Sequence, residues 1–104
     1  MKLFRQGDVL IREVKEIPKG VKEIPRDNGR VVLAYGEVTG HSHAIMDPSV
    51  KFVVNEATLQ RYLDVPKRSA LNHEEHDEIQ IPKGKYEVVI QREWKREGIR
   101  NVLD

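Results

Sequence analysis

The chain has 104 residues, of which 38% are hydrophobic and 34% are charged, and it contains no cysteine. This length predicts that residues 1–104 form a single domain. The lack of cysteine excludes disulfide frameworks, zinc fingers with thiolate ligands and thiol enzymes. The 18 basic and 17 acidic residues give a formal net charge of +1, so the totals do not indicate a nucleic-acid-binding protein.

The amino-terminal residues, MKLFRQGD, lack the apolar run of a signal peptide. No stretch of the chain approaches the roughly 20 apolar residues of a membrane helix. We therefore expect a cytoplasmic protein that does not associate with a membrane.

Apolar residues recur with period two in short runs, which is typical of half-buried strands. The first predicted strand covers residues 9–14, and two β-branched runs at 31–35 and 51–54 predict further strands. The longest predicted strand covers 85–94. Its alternation places Tyr86 and the later residues of even number on one face.

The segments between these strands carry turn signals. Residues 14–18 and 21–25 form a tandem repeat that ends in proline, which predicts an extended loop or an edge strand leading to a turn at 27–29. Residues 56–65 predict a strand or a single helical turn. The sequence IPKG at 81–84 predicts a hairpin turn that leads into the last strand.

Many short strands separated by turns predict an all-β fold, specifically a small antiparallel β-barrel or a β-sandwich. An open sheet of this size would expose its edges. We therefore expect either closure of the sheet or association into a homo-oligomer.

Two of the four histidines, His41 and His43, lie one residue apart in the sequence GHSHAI. In an extended segment, side chains at positions i and i+2 point to the same side. Gly36 and Gly40 give the backbone room to bend before this pair. The spacing predicts two imidazole ligands that face one ion.

The other two histidines, His73 and His76, lie in the polar sequence NHEEHDE, which predicts a loop. If folding brings the two pairs together, one metal site is formed by His41, His43, His73 and His76. The ion would be zinc, iron, manganese, nickel or copper, because imidazole and carboxylate ligands suit all five and the sequence does not distinguish them. Glu75 and Glu74 are then candidates for a residue outside the ligand shell or for a catalytic acid or base.

Two resemblances bear on this site. The sequence GHSHAI, followed about thirty residues later by HEEHDEIQIPKGKYEVVIQREW, resembles a group of small bacterial and phage proteins without an assigned activity, over residues 36–94. Residues 36–43 resemble the first half of the cupin metal motif, in which a glycine precedes a His-x-His pair on a barrel strand, and residues 44–47 contain no glutamate where that motif has one. The second resemblance implies a cupin-like barrel that holds a divalent metal ion, and a metal-dependent enzyme of unknown substrate is one function that it suggests.

Two other functions fit the same residues. The first is a metal-free nuclease or hydrolase in which histidines act as general acid and base. Its small-molecule or RNA substrate would contact Arg92, Tyr86 and Trp94, which share one face of the predicted last strand. The second is a non-enzymatic, oligomeric interaction protein with histidines in its subunit interface.

Overall fold

The computed structural model describes residues 2–36 and 40–91 of the chain. Ten strands lie within this part: β1 (Leu3–Gln6), β2 (Val9–Val14), β3 (Lys22–Glu23), β4 (Val31–Tyr35), β5 (Ser42–Ile45), β6 (Lys51–Val54), β7 (Arg61–Val65), β8 (Ser69–Asn72), β9 (Ile79–Ile81) and β10 (Gly84–Ile90). Within the described residues, no helix is long and apolar enough to cross a membrane. The prediction of an all-β fold is confirmed.

The strands form two antiparallel sheets. The larger sheet has six strands in the order β1-β2-β10-β7-β6-β3, and the smaller sheet has four strands in the order β4-β5-β8-β9. In the part of the chain that the structure describes, these ladders stay separate. The barrel that the sequence predicted as one option is therefore not closed.

One hydrophobic core contains side chains from both sheets. On β2, Val9 and Ile11 are fully buried while Arg12 is exposed, because successive side chains of a strand point to opposite faces. The larger sheet contributes Val9, Ile11, Phe52, Leu63, Val65, Tyr86 and Val88, and the smaller sheet contributes Val31, Leu33, Ile45, Leu71 and Ile81. Burial of these apolar side chains is the main force that holds the two sheets together.

The tandem repeat and the turn after it match the sequence prediction. Within the second repeat, β3 pairs with β6 and, among the described residues, forms an edge of the larger sheet. Asn28 and Gly29 have φ values of 54° and 77°, the left-handed pair that a two-residue type I′ turn requires. Asp27 and Arg30 pair across this turn.

Of the two structures predicted for residues 56–65, the strand is the one formed. The strand β7 pairs with both β6 and β10. Residues 56–58 form the turn before it, where the Asn55 side chain accepts a hydrogen bond from Ala57 N at 3.0 Å.

The prediction of a hairpin turn at residues 81–84 is wrong, because the strands on its two sides do not pair with each other. The strand β9 pairs with β8 in the smaller sheet, whereas β10 pairs with β2 and β7 in the larger sheet. Pro82 and Lys83 therefore carry the chain from one sheet to the other. The buried Tyr86 hydroxyl donates to Pro82 O at 2.7 Å and fixes this crossover.

Candidate metal centre

The register of the smaller sheet brings the two histidine pairs together. His41 directly precedes β5, and His43 is the second residue of that strand; β8 ends at Asn72, directly before His73. Because β5 and β8 are antiparallel, with Ala44 opposite Asn72, the start of one strand lies beside the end of the other. Gly40, with φ of 88°, provides the bend before His41.

All four imidazole rings lie in one group, here named the histidine cluster (His41, His43, His73 and His76). The centroid of the His73 ring is 4.3 Å from that of His43, 4.6 Å from that of His76 and 5.6 Å from that of His41. The His43 and His76 centroids are 5.7 Å apart. His73 thus lies between the other three rings, and both members of the His-x-His pair face it.

Glu74 adds a carboxylate to the cluster. Its Oε1 accepts a hydrogen bond from Ser42 N at 2.9 Å. That bond is the main cause that lowers the pKa of Glu74; a hydrogen bond to its own backbone N–H and the nearby His41 and His73 lower it further, against desolvation. One ligand atom from each of His41, His73 and Glu74 lies within 4.8 Å of the others. At neutral pH this group therefore combines two imidazole rings with an ionised carboxylate.

Glu75 lies further out. Its Oε1 is 3.8 Å from His41 Nδ1, and its side chain is 69% exposed. This separation is too long for a hydrogen bond. Glu75 therefore faces His41 from the solvent side of the cluster.

Gln6, at the end of β1, fixes the tautomer of His43. Its Nε2 donates to Leu71 O and to Asp77 O, each at 2.9 Å, so the amide oxygen is the atom that faces His43 Nδ1 at 2.8 Å. Because an amide oxygen only accepts, Nδ1 carries the proton and neutral His43 has its lone pair on Nε2. Gln6 was missing from the sequence predictions, since a glutamine before a Gly-Asp turn carries no distinctive signal.

The turn between β1 and β2 lies against the cluster. Gly7 has φ of 57°, and a Cβ atom at this position would lie 2.7 Å from His76 Nε2 and 3.2 Å from His43 Cε1. Both values are below ordinary van der Waals contact. Only glycine fits here without moving His76.

His73 is held by its own loop. Its Nδ1 accepts hydrogen bonds from Glu75 N at 3.0 Å and from His76 N at 3.3 Å. In neutral His73 the proton therefore lies on Nε2. Binding of an ion through Nε2 requires the other tautomer, and the two Nδ1 bonds must then be broken.

The sequence predicted a substrate-binding surface on one face of the last strand. Tyr86, the one residue of that surface that the structure describes, does not support it. Tyr86 is fully buried in the hydrophobic core, so it cannot stack on a substrate. It faces inward because β10 is a central strand whose alternate side chains fill the space between the sheets. Arg92 and Trp94 lie outside the described residues.

Comparison with known proteins gives a family for this chain. The family model described as "Domain of unknown function (DUF8820)" matches residues 5–91. A search of curated proteins and a search of solved structures gave no match. The matched range contains Gln6, Gly7, Glu74 and the whole histidine cluster. Because this family model covers most of the chain, the chain belongs to the DUF8820 family.

Proposed function

We propose that the histidine cluster binds one divalent transition metal ion. The observation that carries this proposal is the group formed by His41, His73 and Glu74, whose ligand atoms lie within 4.8 Å of one another. Tetrahedral zinc needs ligand atoms about 3.4 Å apart, given bonds of about 2.1 Å. Closing the site therefore requires the ligand atoms to approach by up to about 1.4 Å, and it requires His73 to give up the two hydrogen bonds on its Nδ1.

His43 supports this proposal as a further ligand. Its Nε2 lone pair is set by a hydrogen bond on the opposite ring nitrogen, and metal-binding histidines are usually oriented in this way. The ion is zinc, iron, manganese, nickel or copper, since these donors suit all five.

In this proposal Glu74 is a ligand rather than a catalytic acid, because its lowered pKa keeps it ionised at neutral pH. Glu75 is then the residue outside the ligand shell, one of the two roles that the sequence analysis left open for both glutamates. If three protein groups hold the ion, a water molecule occupies the fourth position, and the ion can activate that water for hydrolysis.

We further propose that the two sheets form a cupin-like arrangement around this site. A glycine precedes a His-x-His pair whose second histidine lies on a strand and is buried. Its partners come from a later strand end, His73, and from the other sheet, Gln6. The cupin resemblance implies a metal site built on a His-x-His strand, and β5 is that strand in this proposal.

The test is zinc binding measured by competition with a chromophoric chelator, using the matched variants Glu74→Gln and Glu75→Gln. Both remove one carboxylate, and glutamine at position 74 can still accept the hydrogen bond from Ser42 N. We expect one zinc ion per chain, an affinity about 10 to 100 times lower in Glu74→Gln, and little change in Glu75→Gln. His41→Ala and His43→Ala should also weaken binding. Equal affinity in all variants, or no binding by the unaltered protein, would refute the proposal.

The fixed tautomer of His43 also favours a second function, metal-free acid–base hydrolysis of RNA. With its proton held at Nδ1 by Gln6, Nε2 can accept a proton from a nucleophile. Cleavage of RNA that persists in excess chelator and is lost in His43→Ala would support this function. Activity that depends on added metal would instead support the metal centre.

A further inference from the structure

A cleft of about 330 Å³ begins at the histidine cluster and extends along the smaller sheet. Its lining includes Arg30, Ser42, Ala44, Asn72, His73 and Glu74. Two of these residues, His73 and Glu74, belong to the proposed metal centre. A ligand in this cleft would therefore contact two of the groups that are proposed to hold the ion.

The side-chain alternation of β5 explains why the cleft is separate from the core. His43 and Ile45 point inward, to the cluster and the core respectively, so Ser42 and Ala44 face the other side of the sheet. Asn72, opposite Ala44 on the neighbouring strand, lines the same cleft. The wall is thus formed by small and amide side chains together with the apolar side chain of Met46, and Ser42 and Asn72 offer hydrogen bonds.

Arg30 provides the positive charge of the cleft. Its Nη1 donates to Ser42 Oγ at 3.2 Å, and its Nε makes a long bond of 3.4 Å to Asp27 O. No carboxylate of the described residues lies within 4.0 Å of this guanidinium. A guanidinium has five N–H donors, so the group retains both charge and donors for a ligand.

We propose that this cleft binds a small molecule that carries one carboxylate, with the carboxylate on Arg30 and the rest of the molecule directed to His73 and Glu74. This inference rests on the proposed function for the effect of zinc, held by His73 and Glu74, on binding of the ligand. The planar guanidinium matches a carboxylate through two parallel hydrogen bonds. A single negative charge fits better than a phosphate dianion, because the cleft has one arginine and the Glu74 carboxylate lines the same cleft.

The experiment is a titration of the full chain with sodium propionate at constant ionic strength, followed by ¹⁵N–¹H spectra with and without zinc. We expect saturable shifts at the Ser42 and Asn72 amides, and tighter binding with zinc, which offsets the charge of Glu74. Propionamide, the neutral analogue, should give no saturable shift. Arg30→Gln should weaken propionate binding about tenfold or more, and Arg30→Lys should fall between the two.

The matched control is Arg68→Gln, which removes the same charge from an exposed arginine in the link before β8, at the opposite end of that strand from the cluster. It should leave propionate binding unchanged. Shifts that do not saturate, that propionamide reproduces, or that persist in Arg30→Gln would overturn the inference. Zinc affinity is read separately in the same samples. Normal zinc binding without propionate binding would refute the carboxylate site and leave the proposed metal centre intact. Arg30-dependent propionate binding without zinc binding would refute the metal centre and leave the carboxylate site intact.

Discussion

Gln6 joins three groups through one side-chain amide, since it donates to Leu71 O and Asp77 O and accepts from His43 Nδ1. Gln6→Leu should therefore leave two buried groups, Leu71 O and His43 Nδ1, without these partners, at a cost of about 1–2 kcal/mol for each. We expect the free energy of unfolding, measured by urea denaturation, to be roughly 2–4 kcal/mol lower in this variant than in the unaltered protein. Zinc affinity should also fall, by about 10 to 100 times, because the tautomer of His43 is no longer fixed.

The control for this prediction is Gln80→Leu. Gln80 is exposed, and its amide bonds only to the side chain of Glu78 among the described residues. That substitution should change stability by less than about 0.5 kcal/mol and leave zinc affinity as it is. Equal effects of the two substitutions would show that the Gln6 amide does not organise the site.

Gly7 and Gly20 provide a second matched pair. Both have left-handed φ values, 57° and 79°, so alanine at either position costs about 1–2 kcal/mol of backbone strain. A Cβ at Gly20 meets nothing within 4 Å, whereas a Cβ at Gly7 collides with His76 Nε2. Because His76 is exposed and can rotate away, we expect similar losses of stability in the two variants. Only Gly7→Ala should lower zinc affinity, and similar zinc affinities would argue against a role for His76.

At the scale of the elements, local patterns predicted what local geometry decides. The strands at 9–14, 31–35 and 51–54, the edge strand in the second repeat and the turn at 27–29 follow from alternation and turn residues within a few positions. The i, i+2 spacing of His41 and His43 likewise predicted rings that face one space. These features need no knowledge of distant parts of the chain.

Strand partners are not local, and the sequence could not supply them. The sequence from Ile81 to Gly84 predicted a hairpin. The strand that ends at Ile81 and the strand that begins at Gly84 nevertheless lie in different sheets. The approach of His43 to His73 depends on the pairing of β5 with β8, about 27 residues apart along the chain. Gln6 reaches the site only because β1 ends there, and no pattern near residue 6 indicates this.

The segment between β5 and β6 connects the smaller sheet to the larger one, and Asp47 organises it. Asp47 accepts hydrogen bonds from Ser49 N and Ser49 Oγ, at 2.8 and 2.7 Å, and from Ser69 Oγ at 3.1 Å. The bonds from Ser49 are the main cause that lowers the pKa of Asp47 below its ordinary value of 3.8. A lowered pKa means that the ionised form stabilises the fold above that ordinary value, and that this contribution is lost as the pH falls through the folded-state pKa.

Asp47→Asn should therefore be less stable than the unaltered protein at pH 7, since asparagine keeps an acceptor oxygen but lacks the charge. The difference should shrink as the pH falls below about 4 and vanish once Asp47 is protonated in both states. Urea unfolding at pH 7 and at about pH 2.5 measures it. A difference of the same size at both pH values would mean that shape rather than charge accounts for the effect.

At the scale of the whole molecule, the histidine cluster lies where both sheets meet. Gln6 and Gly7 come from the larger sheet and the turn after its edge strand, whereas His43 lies on the smaller sheet and His73 directly follows it. An ion in the cluster would therefore connect loops and strands that separate when the protein unfolds. Binding to the folded state alone raises its stability.

Zinc should raise the melting temperature accordingly. At free zinc about 100 times the dissociation constant, the linkage contributes about 2.7 kcal/mol, which corresponds to a rise of roughly 10 to 20 °C in a domain of this size. Scanning fluorimetry over a range of buffered zinc concentrations measures the rise, and excess chelator should reverse it. His41→Ala and Glu74→Gln should reduce the rise, while Glu75→Gln should keep it. A rise that is equal in all these proteins would locate the ion away from the cluster, because zinc bound elsewhere on the fold stabilises every variant alike.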